Sequence, residues 1–185
     1  MHHLMRKPKT YMQNSMARSD FLDFDCIAYA TRRTGRAVTN LFNARLSHLD
    51  LNVAQFGLLA AVGKMPGATL AAIGEAMLLD DSTLARNFAV MERRGLVSAE
   101  GGRGRGGKQL HLTAEGVKLA KAASTVWVKT NRHLAAQFSE AEVRAGRTFL
   151  KALSEASQRL KAKDDAAAHR EARRGEASRV VAERA

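Results

Sequence analysis

A mainly α-helical chain with one small β-hairpin is the fold class that the 185-residue sequence predicts. Three observations predict it. Apolar residues recur at three- and four-residue steps through most of residues 20–160, the spacing of one helix face. One stretch, 96–112, changes to the two-residue alternation of strands around a glycine-rich centre. Capping signals, Asn52 with Gln55, Thr113, and Ser139 with Glu142, stand where one helical pattern stops and the next begins.

Taken in order, residues 1–19 hold Arg6, Lys7, Lys9 and Arg18 with no acid and no steady period, and are expected to form a mobile basic arm. From 20 to 49 the residues Phe24, Ala28, Thr31, Val38, Phe42, Leu46 and Leu49 predict one long helix, interrupted only by Gly35. Asn52 and Gln55 open a second helix with Phe56, Leu59, Ala60 and Gly63 as its inner stripe, ended by Pro66 and Gly67. In TLAAIGEAM, Leu70, Ile73, Ala76 and Met77 share a face, and Leu78 and Leu79 lead into a turn. Asp80 or Asp81 then caps a further helix in which Leu84, Phe88 and Met91 face inward. Gly95 suits the left-handed residue that closes it. Leu96 to Ser98 and Lys108 to Leu112 are the two strands of a hairpin around GGRGRGG. Thr113 caps a helix through Leu119, Ala123, Val126, Thr130 and Leu134 that stops near Phe138. Ser139 and Glu142 open a final helix bearing Val143, Gly146, Phe149, Leu150, Leu153 and Leu160. Residues 164–185 carry five acids and five bases among alanines and are expected to be a solvated, partly helical tail.

Two short helices followed by a hairpin describe a winged helix-turn-helix, here about residues 52–113, flanked by long dimerisation helices at about 20–49 and 114–163. Inward packing of Leu84, Phe88 and Met91 turns Ser82, Thr83, Ala85, Arg86 and Asn87 outward. Small polar side chains with one arginine at a helix start suit the donors and acceptors of base edges in a major groove. Arg103 and Arg105 in the glycine-rich loop suit a narrow minor groove, where negative potential concentrates, and Lys108 adds a phosphate contact. Six basic residues from Arg86 to Lys108 face only Glu92 and Glu100, and the whole chain carries a formal net charge of +12. Such a surplus points to a polyanion, and double-stranded DNA is the expected partner. So many apolar stripes exceed what a small reading unit can hide, so a homodimer is expected, placing two recognition helices about 34 Å apart on a pseudo-palindrome.

LDDSTLARNFAVMERRGLV, followed by a hairpin ending in LHLTAEG, resembles the recognition helix and wing of MarR-family bacterial transcription regulators. RRTGRAVTNLFNARLSHLDLNVAQFGLLAAV is similar to that family's first long helix and the helix after it, so the likeness runs over about residues 20–160. The family usually places an Asp-Arg pair near the wing tip, whereas here Gly104 precedes Arg105. The resemblance implies a dimer and a small aromatic or acidic effector held where the dimer helices meet the reading unit, with Tyr29, Arg33, Phe56 and Trp127 as candidates. It also implies a second trigger: one branch senses peroxide through an early cysteine, a place Cys26 takes here, with Tyr29 and Arg33 on its helix face. In that branch the partner tyrosine follows at four residues, and here it follows at three.

Other chemistries find no support. An apolar content of 45% excludes wholesale disorder. No apolar run is long enough for a membrane span and no secretory signal is present, so no membrane partner and a cytoplasmic protein are expected. A single cysteine excludes a thiolate-rich zinc site, and His2, His3, His48, His111, His133 and His169 are scattered, so no metal is expected. No nucleophile elbow, Walker loop or dinucleotide fingerprint appears, so no enzyme and no cofactor are expected. The expected function is a dimeric sequence-specific transcription regulator, a repressor released by a ligand or oxidant. The alternative is a nonspecific nucleic-acid packaging or RNA-binding protein using the basic arm and the RGG-like loop.

Overall fold

The computed structural model describes residues 26–101 and 107–182, with side chains as far as Glu171. The basic arm at 1–19 and the loop arginines Arg103 and Arg105 lie outside the described residues. Helices α1 (Ile27–Leu46), α2 (Val53–Lys64), α3 (Leu70–Met77) and α4 (Asp81–Arg93) precede strands β1 (Val97–Gly101) and β2 (Lys108–Leu112). Helices α5 (Ala114–Ala135) and α6 (Glu140–Ala182) complete the chain, which divides into two compact units, Met1–Thr130 and Asn131–Ala185.

In the first unit α2 is the centre. Phe56, Leu58, Leu59 and Val62 are all buried, and the helix packs against α1, α3, α4 and β2. The expected inner stripe holds for Phe56 and Leu59 but fails at Gly63, which is exposed, and it omits Leu58 and Val62. A helix apolar nearly all round has no single inner face, and partners on several sides are what bury it. Its start is the expected capping box: Gln55 N–H donates to Asn52 Oδ1 at 2.9 Å, and Asn52 N–H donates to Gln55 Oε1 at 3.1 Å. Asn43 Oδ1 accepts from Val53 N–H at 2.8 Å and ties the end of α1 to that start.

Three expectations for α1 change. The helix ends at Leu46 and a 3-10 turn, Ser47–Leu49, follows it. Gly35 does not interrupt it. Only Phe42 and Leu46 are buried, while residues 31–40, Val38 among them, are exposed, because the core reaches only the C-terminal end of the helix.

In α3, Ile73 is buried and Leu70 and Met77 are half-buried against the core, but Ala76 is exposed, at the solvent edge of the stripe. Gly74 is buried where an added Cβ would lie 2.8 Å from Leu84 Cδ2, so side-chain-free backbone lets α3 and α4 approach. The closest approach is at Gly116 of α5, whose added Cβ would sit 1.9 Å from the Leu96 carbonyl oxygen. Thr113 caps α5 as expected, accepting from Gly116 N–H at 3.0 Å and donating its hydroxyl to Gly95 O at 2.6 Å.

The hairpin is antiparallel with Val97 opposite Leu112 and Gly101 opposite Lys108. One pairing was not foreseen: Thr69, just before α3, bridges Gln109, with Leu110 N–H donating to Ala68 O at 3.0 Å and Gly67 N–H to Leu110 O at 2.9 Å. The hairpin is thereby tied to the start of α3 as well as to the end of α4.

In the second unit, Ser139 Oγ accepts from Glu142 N–H at 3.3 Å, and the Glu142 carboxylate accepts from Ser139 N–H at 2.8 Å, so the expected capping box opens α6. That helix runs unbroken for 43 residues, past residue 163. Its expected apolar stripe does not become a core: Val143 and Leu153 are half-buried, whereas Gly146, Phe149, Leu150 and Leu160 are exposed, the last three by about 60%.

Candidate nucleic-acid interface

Asp80 resolves the start of α4. Its carboxylate accepts from Thr83 N–H at 2.8 Å and from Ser82 Oγ at 2.6 Å, and these hydrogen bonds, Ser82 first, hold its carboxyl far below the usual carboxylate range. Leu84 and Met91 are buried and Phe88 is half-buried, as the periodicity requires. Among the outward residues Ser82, Ala85 and Arg86 are exposed, while Thr83 and Asn87 are half-buried.

Their hydrogen bonds separate them further. Asn87 Nδ2 donates to Thr83 O at 2.9 Å, which turns its amide nitrogen back onto its own helix and leaves the amide oxygen as its outward group. Ser82 spends its proton on Asp80 and keeps only acceptor capacity. Arg86 makes no hydrogen bond or ion pair among the described residues, so its five donors face solvent. Lys108, at the start of β2, is exposed, as is Arg93 at the end of α4.

Arg94 belongs to the basic surplus in sequence but does something else in space. Its Nη1 donates to the carbonyl of Asp50 at 2.6 Å, tying the end of α4 to the turn after α1. Asp50 is left-handed at φ 51°, a conformation that Asp tolerates well. Leu78 is left-handed as well, at φ 53°, and 64% exposed. That backbone costs an L-residue roughly 1–2 kcal/mol, and the side chain regains little of it by burial.

Helices α3 and α4 at a tight turn, a polar exposed face at the start of α4, and a hairpin that follows α4 and is tied back to the start of α3 complete a winged helix-turn-helix. Residues 49–106 match the model of the MarR family. The chain carries a MarR-family domain.

Solved structures agree on the fold. The PcaV transcriptional regulator of Streptomyces coelicolor in complex with its natural ligand is 24% identical, with a TM-score of 0.66 over 73% of this chain and 96% of that one. The M. tuberculosis transcriptional regulator MosR in complex with DNA is 28% identical, with a TM-score of 0.61 over 71% and 97%. The S. aureus MepR–DNA complex is 19% identical, with a TM-score of 0.63 over 74% and 98%. No curated protein matches the sequence.

The candidate effector residues fall into two groups. Phe56 and Trp127 come together with Phe42, their ring centroids 5.0 Å and 4.3 Å from that of Trp127, as a tilted aromatic cluster beside the core. Tyr29 and Arg33 line a cleft of about 370 Å³ with Arg32 and Arg36, all on α1. At 1.5 Å of rise per residue, Arg33 lies roughly 14 Å along the helix from Phe42, so no compact pocket takes in all four. Cys26 is half-buried at the N-cap of α1 with Tyr29 one turn on, and its own carbonyl accepts from Ala30 N–H at 2.8 Å. Tyr29, Arg32, Arg33 and Arg36 stand at i, i+3, i+4 and i+7, so the spacing that pairs Tyr29 with Arg33 also brings the two further arginines to that face of α1.

Among the described residues no helix is long and apolar enough to cross a membrane, and no three His, Cys, Asp or Glu side chains cluster.

Proposed function

We propose that this chain is a dimeric, sequence-specific, DNA-binding transcription regulator of the cytoplasm, a repressor released by a small ligand or an oxidant. The observation that carries the reading is the start of α4, where a capped helix offers Ser82, Ala85 and an unengaged Arg86 as exposed residues, with the hairpin following the end of that helix. Arg86 reads a guanine edge with its guanidinium, the commonest specific base contact. Ser82, Thr83 and Asn87 supply acceptors and close contacts, while Lys108 and the loop residues Arg103 and Arg105 hold phosphate or enter the minor groove. MosR and MepR, which share the fold, were solved on DNA, and PcaV with its natural ligand, and these support a DNA target and an effector.

A second copy covers the exposed apolar residues of α6, so residues 20–49 and 114–163 serve the dimer and 52–113 the DNA. The basic arm at 1–19 adds phosphate contacts, and 164–185 is a solvated extension. For a small aromatic or acidic effector the candidates are Tyr29 and Arg33 on α1 and the aromatic pair Phe56 and Trp127 beside the core. Oxidation of Cys26 is the alternative trigger, and Cys26→Ser abolishes peroxide-dependent release if it operates.

Duplexes selected from a random library by the full chain test the reading. A regulator binds its best duplex at least about a thousandfold more tightly than random DNA. Arg86→Ala lowers that discrimination by roughly ten- to a hundredfold, the worth of one bidentate base contact. Equal binding to all duplexes, with a steep salt dependence, identifies a nonspecific packaging protein instead.

A further inference from the structure

Leu78 sits at an unusual place in the turn that joins α3 to α4. Its φ is 53°, a backbone region that glycine and asparagine enter readily and a γ-branched side chain does not. The strain is locked in by the turn itself, where Leu78 N–H donates to Glu75 O at 3.2 Å and Leu79 N–H to Gly74 O at 3.1 Å. Yet the side chain whose presence causes the strain is 64% exposed, while its neighbour Leu79 packs on the core. The capping hydrogen bonds account for the left-handed backbone, which glycine would supply without strain, but nothing inside the chain uses the exposed apolar side chain that stands there. Non-glycine residues held in this region by the structure around them cluster at functional sites.

Leu78 lies two residues before Asp80, the cap that opens the face of Ser82 and Arg86. An apolar group at the lip of a base-reading helix matches one feature of the major groove, the C5-methyl group of thymine. We infer that Leu78 is a specificity-determining residue, placing its isobutyl group against the methyl of a thymine at the edge of the bound site. This rests on the DNA-reading function proposed above.

The experiment uses the full chain, the best duplex selected from a random library, and versions of that duplex in which each thymine in turn is replaced by deoxyuridine, which lacks only the methyl. One such replacement weakens the unaltered protein about fourfold, the worth of one buried methyl group. Leu78→Gly raises the thermal midpoint by releasing the strain, binds the selected duplex about fourfold less well, and is indifferent to that same replacement. Leu78→Met, which keeps an apolar reach, retains the sensitivity. Undiminished affinity of Leu78→Gly, or equal sensitivity of both proteins at every thymine, overturns the inference while leaving a selective DNA binder. An unaltered protein that shows no duplex preference overturns the inference together with the function beneath it.

Discussion

At Asp80 a single carboxylate organises the first turn of α4, and its ionisation carries a pH dependence. Hydrogen bonds from Ser82 and Thr83 favour the charged form, so the folded chain holds this proton less tightly than the unfolded one. The stabilisation is complete above about pH 4, the ordinary carboxylate value, and is lost as the pH falls from there toward the lower folded value. Asp80→Asn keeps a side-chain acceptor for Thr83 but not the charge. Its thermal midpoint therefore falls below that of the parent at pH 7, and the gap narrows as the pH drops below 4; a gap that stays constant contradicts the assignment. Gly116 makes a sharper demand. A methyl group there meets the Leu96 carbonyl at 1.9 Å, and Gly116→Ala costs about 3 kcal/mol as α5 and the entry to β1 are forced apart, read from urea denaturation. The sequence shows a glycine at 116 but not the carbonyl facing it, because Leu96 is twenty residues away along the chain.

At the scale of elements, caps were legible and buried faces were only partly so. Asn52 with Gln55, Thr113, and Ser139 with Glu142 act within three residues, so local chemistry determines them. Burial depends on which neighbours arrive. Helix α4 meets partners on one side, and Leu84, Phe88 and Met91 follow its period. Helix α2 meets them on several, and Leu58 is as completely buried as Leu59 although it falls off the expected stripe. Leu58→Ala is accordingly expected to cost about 3 kcal/mol, as much as Leu59→Ala, when both are compared by denaturation at one protein concentration. A Leu58→Ala cost below about 1 kcal/mol contradicts a central position for α2. The bridge from Thr69 to Gln109 escaped sequence reading because one bridge leaves no alternating pattern.

The whole molecule leaves its longest helix with an uncovered apolar stripe. Phe149, Leu150 and Leu160 are each exposed by more than half along α6, which is more than a single chain in water gains from. A second copy supplies the cover in the proposed dimer. Leu150→Asp raises the dimer dissociation constant at least tenfold, about 1.4 kcal/mol, measured by sedimentation equilibrium, while Lys151→Asp beside it on the exposed surface does not. Operator affinity falls with the dimer, because two half-sites are no longer read together. Roughly a quarter of this chain has no counterpart in the structures it resembles, although those structures are matched over more than nine-tenths of their length.

Periodicity and caps by themselves determined the order of helices and hairpin and the inward and outward faces of α4, since each is set within a few residues of chain. Tertiary structure alone decided that Arg94 grips Asp50, that Phe56 and Trp127 join Phe42 apart from Tyr29 and Arg33, and that Leu78 stands strained and exposed. Those facts depend on groups distant in sequence or on a backbone angle that a turn imposes, and neither leaves a mark on residue spacing.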